Sequence, residues 1–147
     1  MIPKYEIKAI STNDCYPFAD DIQLTDSTTA AQILRQLIGS DLVICESFVC
    51  LFLNRANRPV GWAKISTGGI SATTVDPRIV AKYAIDTLSS AVILAHNHPS
   101  GNIQPSEGDK QITKTLKSAL ILFDIKVLDH LIITEKSHFS FADDCML

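Results

Sequence analysis

The chain has 147 residues, of which 46% are hydrophobic and 20% charged, with six Gly and six Pro. That is the usage of one globular domain and excludes disordered, collagenous and coiled-coil chains; a domain of this size buries roughly 68–70% of its unfolded surface and needs no disulfide or structural metal to hold a core. Thirteen basic residues against 16 acidic ones leave a formal charge of -3, which disfavours non-specific binding to nucleic-acid phosphates.

The opening segment MIPKYEIKAISTND has neither an apolar signal core nor a cleavage pattern, and apolar runs such as residues 48–53 fall far short of the ~20 residues that span a bilayer. A cytoplasmic protein without membrane association is expected. Cys15, Cys45, Cys50 and Cys145 form no C-x-x-C pair and are expected to be free, buried thiols. Cys45 and Cys50, five apart in an expected strand, would face opposite sides and make poor joint ligands.

In chain order, residues 4–10 read as a weak strand. A helix follows from Asp26 or Ser27 to about Ile38, with Ala30, Ile33, Leu34, Leu37 and Ile38 on one stripe and Gly39 as its C-terminal stop. Residues 42–53 read as a strand whose second half, FVCLFL, is apolar throughout, so both its faces should be covered. Residues 54–59 are turn-rich, and residues 60–67 return as the partner of a hairpin. Asp76-Pro77 is an N-cap followed by proline at the first helical position, predicting a helix to about Leu88 with Ile79, Val80, Tyr83, Ala84 and Leu88 inward. Residues 91–95 form a short buried strand and residues 97–105 a loop. A long helix then runs from Ser106 to about Phe123, with Ile112, Leu116, Ala119, Leu120 and Phe123 inward and Lys110, Lys114 and Lys117 on another face. Residues 125–134 and 138–141 close the chain as strands. The order describes an α/β domain with a mixed central sheet flanked by helices.

The chemistry concentrates in LAHNHPSGNIQPSEGD, residues 94–109. His96 and His98 are two apart at a strand end, so both imidazoles face the same side. Such an end, opening into a Pro/Gly loop, is a favoured site position in α/β sheets. Ser106 and Asp109 fall in the first turn of the next helix, where Asp109 can turn back toward the histidines. Two imidazoles and a carboxylate are the three ligands of a catalytic zinc site, whose fourth position is left for water. The proton of that water needs a further carboxylate. Glu46, a lone acid opening an apolar strand, is one candidate, although spacing alone does not select it. Each residue also has a plainer reading. Ser106 and Asp109 match a capping box, the lysines match the wet face of an amphipathic helix, and Glu46 matches a solvated strand end. His130 and His138 have no spacing partners and read as structural.

The combination is more specific than its parts. H-x-H, seven residues, S, two residues, D, with an upstream Glu, resembles the JAMM signature of the JAB1/MPN metallopeptidase-like domains, a cytidine-deaminase-like architecture. HNHPSG at 96–101, PSEGD at 105–109, FDIKVLDHLIIT at 123–134 and FSFAD at 139–143 resemble the RadC family within that superfamily, over residues 40–143. The resemblance implies that His96, His98 and Asp109 bind zinc. It implies that Glu46 is the general base and passes its proton to a leaving amine, and that Ser106 hydrogen-bonds the oxyanion or orients the water. An amide or isopeptide bond in a peptide or protein is the implied substrate. It also divides the chain into an extension at 1–40, carrying one helix packed on the core, and a metal-binding domain at 41–147. Longer RadC proteins carry an N-terminal helix-hairpin-helix segment associated with DNA. Only about 40 residues precede the core here, so a nucleic-acid partner loses its direct support.

Two other functions compete with the hydrolase. One is an accessory module of DNA-maintenance or mobile-element machinery, with a structural or vestigial metal site and the lysine face as its contact. The other is a non-haem iron facial triad, which the helical content disfavours. A deaminase would require P-C-x-x-C, which is missing, and an HNH nuclease reading of residues 96–98 rests on adjacent letters alone.

Overall fold

The computed structural model describes residues 22–68 and 74–147. The expected strand at 4–10 and Cys15 lie outside the described residues. Five strands form one mixed sheet in the order β2-β1-β3-β4-β5: β1 (Ser47–Leu53), β2 (Pro59–Thr67), β3 (Ala91–Asn97), β4 (Lys126–Ile133) and β5 (His138–Ser140). β1 runs antiparallel to both β2 and β3, β3 and β4 are parallel, and β5 returns antiparallel to β4. Helix α1 (Ser27–Ile38) covers one face, and α2 (Pro77–Asp86) and α3 (Glu107–Leu120) cover the other. The expected α/β class with a mixed, helix-flanked sheet is the architecture observed.

The unbroken apolar run of β1 follows from this layering. Val49, Leu51 and Leu53 pack with Leu34 and Leu37 of α1, while Phe48, Cys50 and Phe52 pack with Val80 of α2 and with Leu116 and Leu120 of α3. Period two along the strand thus feeds two cores. The helix starts are written locally. The Asp26 side chain accepts the Thr29 N–H at 2.7 Å, Asp76 accepts that of Arg78 at 2.9 Å ahead of Pro77, and Gly39 ends α1 at φ 63°.

Several expectations need correction. The strand expected from residue 42 begins at Ser47; Gly39–Val43 form a 3-10 turn whose carbonyls find a side-chain partner instead of a ladder. β3 extends to Asn97, two residues further than expected. The inward stripe of α2 is only Val80 and Ala84: the helix stops at Asp86, leaving Leu88 89% exposed at φ 53°, with Ile79 and Tyr83 half-exposed. Phe123 likewise falls in a 3-10 turn after α3 and is exposed, while Thr113 takes a buried place on the inner stripe and Ile112 and Ala119 are only partly covered. Cys50 is buried, but Cys45 is partly exposed in the turn before β1 and Cys145 is exposed. Among the described residues no helix is long and apolar enough to cross a membrane.

Candidate metal centre

The candidate site lies where β3 ends, β1 begins and α3 begins. His96 occupies the sheet face covered by α2 and α3, its ring stacked on Phe48 with 6.2 Å between centroids. His98 follows just beyond the strand, and the two Nε2 atoms approach to 2.9 Å. His98 is aimed by its other nitrogen, 2.6 Å from the Asn102 carbonyl; a carbonyl only accepts, so Nδ1 carries the proton and Nε2 faces the cleft. Asp109 completes the group from the first turn of α3, with Oδ1 3.0 Å from His96 Nε2 and Oδ2 3.6 Å from His98 Nε2.

The capping box is also present. Ser106 N–H and Ser106 Oγ–H both donate to Asp109 Oδ2 at 2.7 Å, and the Asp109 N–H donates to Ser106 Oγ at 3.1 Å. The cap therefore holds Oδ2, which also faces His98, and leaves Oδ1 directed at His96. The capping and ligand readings of S-x-x-D are both satisfied by one conformation. Burial raises the Asp109 pKa, but hydrogen bonds from His96, His98 and Ser106 outweigh it and hold the carboxyl well below its usual range. The Asp109 hydrogen bond in turn raises His98 above 6.5, against the opposing effect of burial.

One ligand atom each from His96, His98 and Asp109 lies within 4.8 Å of the others. Ligands held ~2.0–2.2 Å from a tetrahedral ion sit roughly 3.3 Å apart. The two Nε2 atoms at 2.9 Å, and the Asp109 oxygens at 3.0 Å (Oδ1 to His96) and 3.6 Å (Oδ2 to His98), lie close to that spacing. The donor set, two neutral nitrogens and one anionic oxygen, suits zinc.

Glu46 immediately precedes β1. Phe48 pairs with His96 across the β1–β3 ladder, so extending the antiparallel register by two residues sets Glu46 opposite His98. Its charge contributes to the raised His98 pKa. All five predicted residues line one cleft of about 580 Å³, as do Thr74, Asn102 and Gln104.

Two features of the site escaped the sequence reading. Asn97, fully buried between the histidines, turns to the opposite face of β3. Its amide nitrogen donates to the carbonyls of Asp41, Leu42 and Cys45 at 3.1, 3.1 and 2.9 Å, and its oxygen accepts the Ser47 N–H at 2.8 Å. One side chain thus ties the turn that carries Glu46 to the strand that carries His96. Asn97→Ala leaves these backbone groups unpaired, and a buried unsatisfied group costs ~1–3 kcal/mol. A fall of about 2–3 kcal/mol in unfolding free energy is expected from urea denaturation; an unchanged midpoint would show that the clamp does not hold the turn. The second feature is His130, whose Nε2 lies 2.9 Å from His96 Nδ1 and whose Nδ1 lies 2.5 Å from Thr113 Oγ1. The expectation that His130 is structural missed this contact with the site; an Asp-His pair inside the apolar run 127–133 of β4 was the available signal.

Residues 20–146 match the family model described as RadC-like JAB domain. The chain belongs to the RadC-like JAB domain family. Similar proteins include a UPF0758 protein of Flavobacterium johnsoniae, 45% identical over 130 residues (86% of this chain, 56% of the relative), and a UPF0758 protein of Thiobacillus denitrificans, 41% identical over 128 residues (85% and 57%). UPF0758 protein YfjY of Escherichia coli is 47% identical over 102 residues (69% and 64%). The chain thus spans between 56% and 64% of the length of these relatives.

Proposed function

We propose that this RadC-like domain is a zinc-dependent hydrolase of amide or isopeptide bonds in a peptide or protein. The observation that carries the proposal is the convergence of His96, His98 and Asp109 at one point in a cleft that Glu46 also lines. Zinc held by these three residues would polarise a carbonyl and bring the pKa of a bound water to ~7. Glu46 then takes the proton of the attacking water as its oxygen adds to the substrate carbonyl. It delivers that proton to the nitrogen as the C–N bond breaks, releasing an acid and an amine. Ser106, after turning its hydroxyl from Asp109 toward the cleft, donates to the oxyanion. The division into an extension at 1–40 and a metal-binding core at 41–147 belongs to the same proposal, since the core supplies all five residues. Cytoplasmic residence does too, supported by the free Cys45, Cys50 and Cys145.

The accessory-module reading draws less support. Lys110 is engaged by Glu107 at 2.6 Å, and the first turn of α3 carries two acidic residues, Glu107 and Asp109. The test is cleavage of two fluorogenic libraries, one of linear peptides and one of ε-linked lysine isopeptides, by zinc-loaded protein. Cleavage that a chelator abolishes and added zinc restores is the expected result. No turnover of either library by zinc-loaded protein would count against the hydrolase and leave the binding module in its place.

A further inference from the structure

The ring of His130 is fully enclosed, stacked on Phe141 with centroids 5.0 Å apart and edge-on to Phe48 at 5.5 Å. Its backbone is held as firmly: the His130 N–H donates to Asp129 Oδ1 at 2.7 Å, and its carbonyl accepts from Phe141 N–H at 3.1 Å. Asp129 is fixed in turn by Ser140 Oγ at 2.7 Å and Ala142 N at 3.0 Å. The hydrolytic steps above leave this buried imidazole without a task.

Hydrogen-bond bookkeeping supplies one. Thr113 Oγ1 lies 2.6 Å from the Asp109 carbonyl oxygen and 2.5 Å from His130 Nδ1. The carbonyl has no proton, and two oxygens at that distance need one between them, so the hydroxyl proton points at Asp109. Thr113 can then only accept from His130, which fixes the His130 proton on Nδ1. The ring is fully enclosed between Phe48 and Phe141, and its two nitrogens face a hydroxyl and an imidazole, not a carboxylate that would balance a charge, so the enclosed ring is the neutral one. Its Nε2 is consequently a lone pair, and the atom facing it at 2.9 Å, His96 Nδ1, must donate. With Nδ1 committed as the donor to His130, Nε2 is the one His96 nitrogen left to serve as a ligand, and it faces His98 and Asp109.

We infer that Thr113 and His130 are positioning residues that set the His96 tautomer, so that its Nε2 lone pair is directed into the three-ligand centre. The chain is closed on itself. It starts from the carbonyl of Asp109, one ligand residue, and ends on the ring of His96, another. Helix α3 and strands β3 and β4 are thereby registered against each other at the point where the ligands meet. His98 achieves the same orientation more simply, through the Asn102 carbonyl. Metal-binding imidazoles depend on such outer partners, and losing one typically weakens metal affinity 10–100-fold.

This inference rests on the metal-site reading for its purpose but is measured separately from it. The first readout is the imidazole nitrogen NMR spectrum of the metal-free protein, in which His130 is expected to carry its proton on Nδ1 alone and His96 to carry one on Nδ1. A proton on His130 Nε2 would overturn the inference whatever the protein does with zinc. The second readout is zinc affinity by competition with a chromophoric chelator. Thr113→Val preserves shape and removes the acceptor, and is expected to lower zinc affinity 10–100-fold and to change the His130 signals. Thr113→Ser restores both. Affinity in Thr113→Val equal to the parent's would overturn the positioning role, and the serine rescue separates that role from a general packing defect. If the parent protein fails to bind zinc, the metal-site reading falls, while the spectrum still decides the tautomer.

Discussion

Replacing Glu46 by Gln is expected to leave one zinc bound per chain and to lower any amide or isopeptide hydrolysis by about 10²–10⁴-fold, the usual contribution of a positioned general base. That range corresponds to roughly 3–5 kcal/mol of transition-state stabilisation. The substitution keeps size and hydrogen-bonding capacity at a residue that precedes β1 and borders the cleft, outside the His96, His98 and Asp109 group. Loss of activity with metal retained separates the proton-transfer role from metal binding. The discriminating assay is single-turnover cleavage beside zinc content of the same sample. Activity in the glutamine variant within a few-fold of the parent's would remove Glu46 from the chemistry. Loss of zinc in parallel would make it a ligand instead.

The second large effect is expected at the ligands. His98→Ala removes one of three donors and ought to abolish stoichiometric zinc. A ligand that binds only the folded state stabilises by RT ln(1 + [L]/Kd), which is about 2.7 kcal/mol at 100 times Kd. For a domain of this size that is a rise in Tm of roughly 5–11 °C. Zinc should therefore raise the melting temperature of the parent and leave that of His98→Ala unmoved. Asp109→Asn should behave similarly, with an added loss from the capping box, because Oδ2 accepts from both Ser106 N and Ser106 Oγ. Equal zinc-induced shifts in parent and His98→Ala would place the metal elsewhere.

Much of this site is legible in the sequence because its parts are local. His96 and His98 are two apart, and Ser106 and Asp109 announce a helix start by the same spacing that caps it. Asp26, Gly39 and Asp76-Pro77 mark their helix ends by chemistry confined to a few residues. What failed to be legible depends on distant partners. The turn before β1 reads as strand because its carbonyls are satisfied by Asn97, 52 to 56 residues away. His130 reads as structural because its partners, His96 and Thr113, are 34 and 17 residues away. Leu88 and Phe123 extend apolar stripes on paper, but their helices have ended before them, and no periodicity records that. Glu46 is intermediate: its place opposite His98 follows from the β1–β3 register, which is a property of the sheet and not of either segment.

The most direct test of the account is anomalous diffraction at the zinc edge from crystals of protein purified from zinc-replete medium, with metal analysis of the same preparation. One zinc per chain is expected, with its peak ~2.0–2.2 Å from His96 Nε2, His98 Nε2 and an Asp109 carboxylate oxygen, and Glu46 beside the remaining position. Metal-free protein from that medium, or a peak centred away from these three side chains, would contradict it.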